Sequence, residues 1–270
     1  MKSTLPHDGE RVVEASYEAT SEGRNILAMH LASYSRVLEL CSGKDVLDLG
    51  CGSGYGIASL APCSRSAVGV DVSDAAIDYA REHYQSVNLR FSQIFANKPT
   101  PFPDESFDVV LSFQVIEHVD DDVAYVSEIC RLLRPGGHAV FITPDRRSRL
   151  FSFQKPWNRW HLREYSADSL AHIVSSSLSV VALEVMHGEE LPVSAEIERY
   201  RIARWIALPV TLPFVPEVVR RSGLAFLSYV STRLQGLRRG IPMPASPRPV
   251  FWFEAVDRAG LNVLVFAKKG

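Results

Sequence analysis

Five short apolar runs, rich in β-branched residues, alternate with stretches of helical periodicity in the first half of the chain. The runs show no apolar–polar alternation, which is typical of parallel strands covered by helices on both faces. Repeated alternation of strand and helix predicts a doubly wound α/β sheet. The predicted strands cover residues 45–50, 67–73, 88–92, 107–113 and 138–144.

The second half of the chain first continues this pattern and then departs from it. A helix near 166–177 and a strand near 179–186 extend the sheet. Residues 199–248 then hold nine arginines, no lysine and one acid. Two further apolar runs, 250–256 and 261–269, have the composition of strands. We therefore predict one domain with an arginine-rich insertion before its last strand.

Composition limits the class of protein. With 270 residues, of which 46% are hydrophobic and 22% charged, the chain is predicted to be globular. A formal net charge of −2 excludes a globally basic nucleic-acid binder, so we expect no nucleic-acid partner. The cysteines show no paired spacing, which is typical of reduced thiols inside cells. Without a signal-peptide pattern, we expect a cytoplasmic protein that at most contacts a membrane peripherally.

The sequence VLDLGCGSGYG, residues 46–56, places three alternate glycines directly after a predicted buried strand. Such glycines permit a tight turn that brings backbone close to a ligand, and the following helix presents its N-terminal amides. Asp71 stands about 20 residues later, where a carboxylate can accept both ribose hydroxyls of an adenosine-containing ligand. The turn lacks the G-x-G-x-x-G spacing of dinucleotide sites. A packing turn followed by a helix-capping aspartate is the alternative interpretation.

Four blocks occur in a characteristic order: VLDLGCGSGYG, VGVDVS, FPDESFDVVLSFQVIEHV and LLRPGGHAVFITP. Together they resemble the class I S-adenosylmethionine-dependent methyltransferases, especially the small-molecule, type 11-like branch, over about residues 25–187. The resemblance implies a Rossmann-like, seven-stranded sheet and S-adenosyl-L-methionine as the cofactor. On this basis we divide residues 1–270 into a helical cap (1–43), a cofactor-binding core (44–187), a substrate or lid insertion (188–249) and terminal strands (250–270).

The resemblance also implies cofactor contacts within these blocks. The glycine turn would lie under the amino-acid part of the cofactor, and Asp71 would bind its ribose. The end of the fourth strand would line the floor near the sulfonium. The implied contacts are Asp48, Gly50, Cys51, Gly52, Gly54, Asp71, Val72, Ser112, Phe113 and Gln114.

The adenine end departs from the family pattern. Many relatives carry an acid after the third strand, which binds the adenine amino group. Here Phe95 and Ala96 stand where that acid is expected. We therefore place Phe95 and Ala96 at the adenine, and Gln93 or backbone groups could replace the acid.

The opening segment, residues 8–56, resembles a narrower subset associated with bacterial glycan or natural-product assembly. In that subset the leading helix packs over the cofactor. The polar residues on it that could reach the methionine carboxylate are Arg24, His30 and Tyr34. Helix surface or core packing is an equally open interpretation for each of them.

Transfer of a methyl group to a hydroxyl requires in-line placement and removal of a proton. His118, after the fourth predicted strand, and His161, in a loop rich in aromatic residues, are our candidates for the catalytic base. A structural role is the alternative for each histidine. The Glu117–His118 pair with a distant histidine is also similar to metal-dependent RNA-end methyltransferases. Those proteins use a further glutamate where this chain has Gln114, so we expect no metal.

The insertion allows two interpretations. Residues 220–239 show helical spacing of apolar residues with arginines at both ends, which predicts an ordinary amphipathic helix packed on the sheet. Alternatively, residues 199–239 form an interfacial element that contacts anionic membrane or a lipid-phosphate-linked substrate. Arginine suits bidentate phosphate contacts.

We predict an enzyme that methylates a small molecule or a glycan- or lipid-linked precursor, on oxygen. A non-catalytic S-adenosylmethionine-binding protein of the same fold is the first alternative. A metal-dependent RNA-end methyltransferase and an NAD-dependent oxidoreductase are less favoured, because Gln114 and the glycine spacing argue against them.

Overall fold

The computed structural model describes residues 17–18, 20–238 and 248–270. Its strands are β1 (Asp45–Leu49), β2 (Ser66–Asp71), β3 (Leu89–Gln93), β4 (Phe107–Phe113), β5 (Leu133–Pro144), β6 (Ser179–Gly188), β7 (Phe251–Ala255) and β8 (Asn262–Lys268). Its α-helices are α1 (Ser21–Arg36), α2 (Leu38–Cys41), α3 (Tyr55–Leu60), α4 (Asp74–His83), α5 (Asp122–Leu132), α6 (Arg146–Arg149), α7 (Ala167–Val174), α8 (Glu190–Ala207) and α9 (Glu217–Arg238).

All eight strands form one sheet in the order β3-β2-β1-β4-β5-β8-β6-β7. The first five strands are parallel to one another, and β8 runs antiparallel between β5 and β6. This confirms the predicted doubly wound α/β class. The described chain forms one strand more than the seven that the resemblance implied. The additional strand, β7, pairs antiparallel with β6 at the sheet edge as the chain returns from the insertion.

Helices cover both faces of the sheet, as the unbroken apolar runs predicted. Neighbouring residues of β1 point in opposite directions. Leu47 packs into the core beneath α5 and α7, and Val46 packs into the core beneath α1 and α3. Both side chains are fully buried. Burial on both faces therefore explains why these strands show no apolar–polar alternation.

The sheet reverses its direction of growth between β1 and β4. From β1 the chain moves outward through β2 to β3, and then returns to β4 on the other side of β1. At such a switch point the loops leave in opposite directions and open a crevice at the carboxyl ends of the strands. The glycine turn after β1 and the turn Ile116–His118 after β4 therefore face the same crevice.

The insertion forms two long helices, α8 and α9, between β6 and β7. The helix predicted over 220–239 is present as far as Arg238, and residue 239 lies outside the described residues. In the described part of the chain, no helix combines the length and apolar character needed to cross a membrane.

Candidate active site

A cavity of about 1900 Å³ opens at the switch point. Pockets for one small ligand usually measure about 300–1,000 Å³, so this cavity has room for a cofactor and a second molecule. Its walls come from the glycine turn, the ends of β2 and β4, α1, residues 157–161, and the two insertion helices.

The glycine turn combines tight packing with an open face. Gly50, Gly52 and Gly54 have φ values of 95°, 54° and 86°, in the left-handed region that favours glycine. A Cβ on Gly50 would collide with Val115, and one on Gly54 would lie 2.6 Å from the Ala80 Cβ. A Cβ on Gly52 would meet no atom within 4 Å. The outer glycines therefore pack against protein, and Gly52 presents open backbone to the cleft.

Asp71 lies at the end of β2 and lines the cleft beside Gly52. Its Oδ2 accepts a hydrogen bond from the Gly52 amide at 3.0 Å, and its Oδ1 accepts one from the Ser73 amide at 2.9 Å. These bonds fix the orientation of the carboxylate. Because a carboxylate offers about four acceptor positions, Asp71 keeps the capacity to accept two ribose hydroxyls. The open turn and this carboxylate fit the adenosine-containing cofactor that the sequence predicted.

Asp48 lies behind the turn, where it is fully buried and does not line the cleft. Its Oδ2 accepts a hydrogen bond from the Tyr34 hydroxyl at 2.8 Å, and its Oδ1 has no hydrogen-bond partner in the described part of the chain. Burial raises the pKa of Asp48 from 3.8 to about 7, with a further rise from the Asp71 charge, although the Tyr34 hydrogen bond opposes the shift. Asp48 therefore supports the turn from inside the fold.

The substitution Asp48→Asn is expected to flatten the pH dependence of stability. Because folding raises the pKa of Asp48 to about 7, the native state binds its proton more tightly than the unfolded state. The free energy of unfolding of the wild type therefore falls as the pH rises from about 4 to about 7. Asparagine still accepts from Tyr34 but carries no charge. Between pH 5 and pH 8, the melting temperature should fall less in the variant than in the wild type. An equal fall in both proteins would contradict this assignment.

The structure brings most of the predicted cofactor residues to the cleft, but four of them do not line it. Ser112 is buried inside β4, where its hydroxyl is 2.9 Å from that of Tyr125. Arg24 donates to the backbone oxygen of Glu18 at 3.3 Å. Asp48 and Gly54 lie within the packed interior, as described above. The predicted residues that line the cleft are Tyr34, Gly50, Cys51, Gly52, Asp71, Val72, Phe95, Ala96, Phe113 and Gln114.

The edge of the cleft beyond Asp71 is apolar. Val72 and Phe95 are exposed and line this part of the cavity, which suits the faces of a flat base. Gln93 does not line the cleft, because its amide donates to the Val72 backbone oxygen at 3.1 Å. In this arrangement the Gln93 side chain therefore does not replace the acid that binds the adenine in many relatives.

His30 and Gln114 line the cleft with fixed side chains. The His30 Nδ1 lies 2.7 Å from the Tyr55 hydroxyl, and burial lowers the pKa of His30 to about 4, so its ring is neutral at pH 7. Gln114 has a φ of 59°, which is uncommon for a residue with a side chain and is typical of functional sites. Its Nε2 donates to the Asn262 Oδ1 at 3.3 Å.

Glu117, His118 and His161 meet on the cleft wall, although His161 is far from the other two in sequence. The two imidazole rings are nearly perpendicular, with centroids 4.8 Å apart. The Leu162 amide donates to the Glu117 backbone oxygen at 2.9 Å and ties the loop to the turn after β4. Both predicted catalytic histidines therefore lie in one cluster, together with a glutamate.

The orientation of His161 is set by a buried carboxylate. Its Nδ1 lies 2.9 Å from the Glu164 Oε1, and the Glu164 Oε2 accepts from the Arg149 Nε at 3.0 Å. Burial alone would raise the pKa of Glu164, but the Arg149 charge and the His161 hydrogen bond outweigh it and lower this pKa to about 2. An ionised Glu164 can only accept, so the His161 Nδ1 donates, and in the neutral form of the ring Nε2 carries the lone pair. Sequence patterns had not identified Glu164.

Comparison with known proteins identifies the family. Residues 47–141 match the family model described as a methyltransferase domain. A protein of Mycolicibacterium smegmatis, named "Probable S-adenosylmethionine-dependent methyltransferase", is 36% identical over 193 residues, which are 71% of this chain and 72% of that protein. A ubiquinone biosynthesis O-methyltransferase of Alkalilimnicola ehrlichii is 33% identical over 113 residues, 41% of this chain and 46% of that protein.

Among solved structures, the [4+2]-cyclase SpnF has the same fold, with a TM-score of 0.55 and 17% identity over 93% of this chain and 84% of that one. The fold by itself therefore does not determine the reaction. The relatives, the cofactor motifs and the cleft agree, and they favour S-adenosylmethionine over NAD. The chain belongs to the class I S-adenosylmethionine-dependent methyltransferases, and its cofactor is S-adenosylmethionine.

Proposed function

We propose that the protein transfers a methyl group to a hydroxyl oxygen of an acceptor that carries an extended apolar part. The observation that carries this proposal is the composition of the cleft beyond the cofactor residues. One part of the wall is the polar cluster Glu117, His118 and His161, and another is an apolar wall, defined as the apolar side chains that α8 and α9 add to the lining. The side chains of this apolar wall are Ile202, Ala203, Ile206, Ala207, Leu224 and Leu227.

The apolar wall favours an apolar acceptor for a simple energetic reason. Ile202 and Ile206 lie one helical turn apart on α8 and both are exposed. Covering them with an acceptor gains about 25 cal/mol for each Å² of apolar surface removed from water. The A. ehrlichii relative is named as an O-methyltransferase, which supports oxygen as the methylated atom.

Each part of the site has a role in this reaction. When bound, the cofactor supplies a methyl group on a sulfonium. The glycine turn borders its amino-acid part, Asp71 holds its ribose, and Phe113 and Gln114 border the reacting end. The acceptor hydroxyl must lose its proton at the polar cluster. The Nε2 of His161, with Nδ1 held by Glu164, is oriented to accept it.

Mass spectrometry with methyl-deuterated S-adenosylmethionine tests the proposal. Hydroxylated acceptors are compared in pairs that share the hydroxyl group and differ only in the length of the apolar part. We expect deuterated methyl incorporation to increase with apolar length. Equal incorporation into short and long acceptors would contradict the apolar part of the proposal. Cofactor binding without transfer to any hydroxyl would favour the non-catalytic alternative.

We propose in addition that the outer face of the insertion contacts lipid. Trp205 and Phe214 are 58% and 80% exposed, and Val218 and Phe226 are also exposed. Ile202 and Ile206 belong both to this exposed surface and to the cleft lining, so an acceptor could enter from a membrane.

The sequence had suggested that the arginines of the insertion bind phosphate. In the structure, some of them are already paired within the protein. Arg199, Arg201, Arg220 and Arg221 each form an ion pair with a glutamate three or four residues earlier. The lipid contact is therefore expected to depend more on apolar side chains than on these charges.

The double substitution Phe214→Ser and Val218→Ser is expected to reduce co-sedimentation with lipid vesicles several-fold. Both side chains are exposed, so their removal leaves the core intact. Substituting the exposed Val87, on the α4–β3 connection, with Ser provides the matched control. Recovery that is unchanged in the double variant, or equally reduced in the control, would contradict the proposal. Parallel neutral and anionic vesicles separate apolar binding from charge.

A further inference from the structure

The carboxylate of Glu117 is unusual among the side chains of the cleft. The residue is 0% exposed, and neither carboxylate oxygen has a hydrogen-bond partner among the residues that the structure describes. The same residue is part of the cleft wall. An unpaired carboxylate is costly to bury, and such groups are normally paired with a cation or bound to a metal. The interactions among the described residues therefore leave Glu117 without its counterpart.

Two imidazole rings lie beside this carboxylate with defined orientations. The Nδ1 of His161 donates to Glu164, as shown above. The Nδ1 of His118 lies 3.2 Å from the Trp160 backbone oxygen, which can only accept. In each neutral ring, Nε2 is then the nitrogen with the lone pair. Hydrogen bonds of this kind on the far nitrogen are the usual support for a metal-binding histidine.

We propose that Glu117, His118 and His161 bind one divalent cation whose remaining coordination positions face the cleft. Their ligand atoms all lie within 4.8 Å of one another. Tetrahedral ligands at about 2.1 Å from a metal lie about 3.4 Å apart, so the site must contract by up to about 1.4 Å. The carboxylate of Glu117, which no hydrogen bond among the described residues holds, can move toward the two rings.

The donor set selects among metals. Two imidazole nitrogens and one carboxylate suit Mn²⁺, Fe²⁺, Co²⁺ or Zn²⁺, whereas Mg²⁺ favours oxygen donors. The earlier expectation of no metal rested on Gln114, which lacks a charge. In the structure the Gln114 amide is bonded to Asn262, and the three-residue set does not depend on it.

The role of the cation rests on the proposed function. An acceptor hydroxyl that coordinates the cation would have a lowered pKa and release its proton to solvent water. Its oxygen would then form the bond to the methyl carbon as the carbon–sulfur bond breaks and the electron pair remains on sulfur. His118 and His161 would act as ligands in this state, and the cation would replace them as the group that promotes deprotonation.

Manganese titration of the full chain, freed of metal by chelation and dialysis, tests the site. The electron paramagnetic resonance signal of free Mn²⁺ decreases as the ion binds. We expect this decrease to correspond to one bound ion per chain. We expect Glu117→Gln and His161→Gln each to weaken this binding at least tenfold. His172→Gln, on α7 and outside the cleft, is the matched control and should bind like the wild type.

Absence of binding by the wild type, or equal binding by Glu117→Gln and His172→Gln, would overturn the proposal. A second readout controls for folding. The melting temperature of the wild type should rise with Mn²⁺ and that of Glu117→Gln should not, while both unfold cooperatively without metal. Calorimetry with S-adenosylmethionine is run on the same samples. Metal binding without transfer to hydroxyl acceptors would contradict the proposed function and leave the metal site standing.

Discussion

Replacing Asp71 with alanine is expected to weaken S-adenosylmethionine binding by about ten- to a hundredfold. Hydrogen bonds to a charged group contribute about 1.5–3 kcal/mol, and each 1.4 kcal/mol is a factor of ten in affinity. The substitution removes the acceptor for the ribose hydroxyls. It also frees the Gly52 amide that Asp71 holds at 3.0 Å, so the turn itself loses its orientation.

Isothermal titration calorimetry measures this effect against two controls. Asp71→Asn keeps the shape and one acceptor oxygen, and we expect an intermediate affinity. Asp74→Ala removes an exposed carboxylate at the start of α4, outside the cleft, and should leave the affinity unchanged. An Asp71→Ala affinity within twofold of the wild type would show that the carboxylate does not bind the cofactor.

Replacing Arg220 with methionine is expected to destabilise the fold by about 1–3 kcal/mol for each of the two buried backbone oxygens that lose their donor. Arg220 is 1% exposed. Its guanidinium donates to the backbone oxygens of Pro156 at 2.7 Å and His161 at 3.2 Å, and to the Glu217 carboxylate at 2.6 Å. Methionine leaves these acceptors without a donor. Because the bonds join α9 to the loop that carries His161, methyl transfer should fall with stability.

Chemical denaturation and calorimetry together check this prediction. Arg221→Met is a close control, because Arg221 pairs with the same Glu217 but is exposed. Exposed substitutions usually change stability by less than about 0.5 kcal/mol. Cofactor affinity should change little in folded Arg220→Met, since the turn and Asp71 lie elsewhere on the cleft. Equal stability of the two variants would contradict the role of Arg220 in anchoring the insertion.

The sheet and the cofactor half of the site could be predicted because their signals are local. Each strand is a continuous apolar run, and strand–helix alternation leaves few topologies. Gly50, Gly52 and Asp71 follow directly from their positions at strand ends. The predicted fold class was confirmed, and the strand predicted over 250–256 is present as the edge strand β7.

Side-chain direction was less predictable. Asp48 and Ser112 lie near strand ends but point into the packed interior. Successive residues of a strand face opposite sides, and the sequence does not indicate where a strand stops and its end becomes accessible. Arg24 was assigned by its place on α1, but a partly buried arginine can bond to any nearby backbone oxygen, here that of Glu18.

The acceptor side depends on long-range packing. Glu117 and His161 meet because the Leu162 amide bonds to the Glu117 backbone oxygen, a contact that no local pattern encodes. For the insertion arginines, by contrast, the sequence did contain a pattern that predicts their ion pairs. Glutamates three residues before Arg199, Arg201 and Arg220 predict i,i+3 ion pairs on a helix. That spacing would have indicated that these charges are partly neutralised within the protein.

A crystal structure with bound S-adenosylhomocysteine tests the central claim most directly. The account predicts electron density over the open face of Gly52, ribose hydroxyls on the Asp71 carboxylate and the sulfur facing the chamber bordered by Phe113 and His161. Density at another place, or a ribose without contact to Asp71, would contradict it.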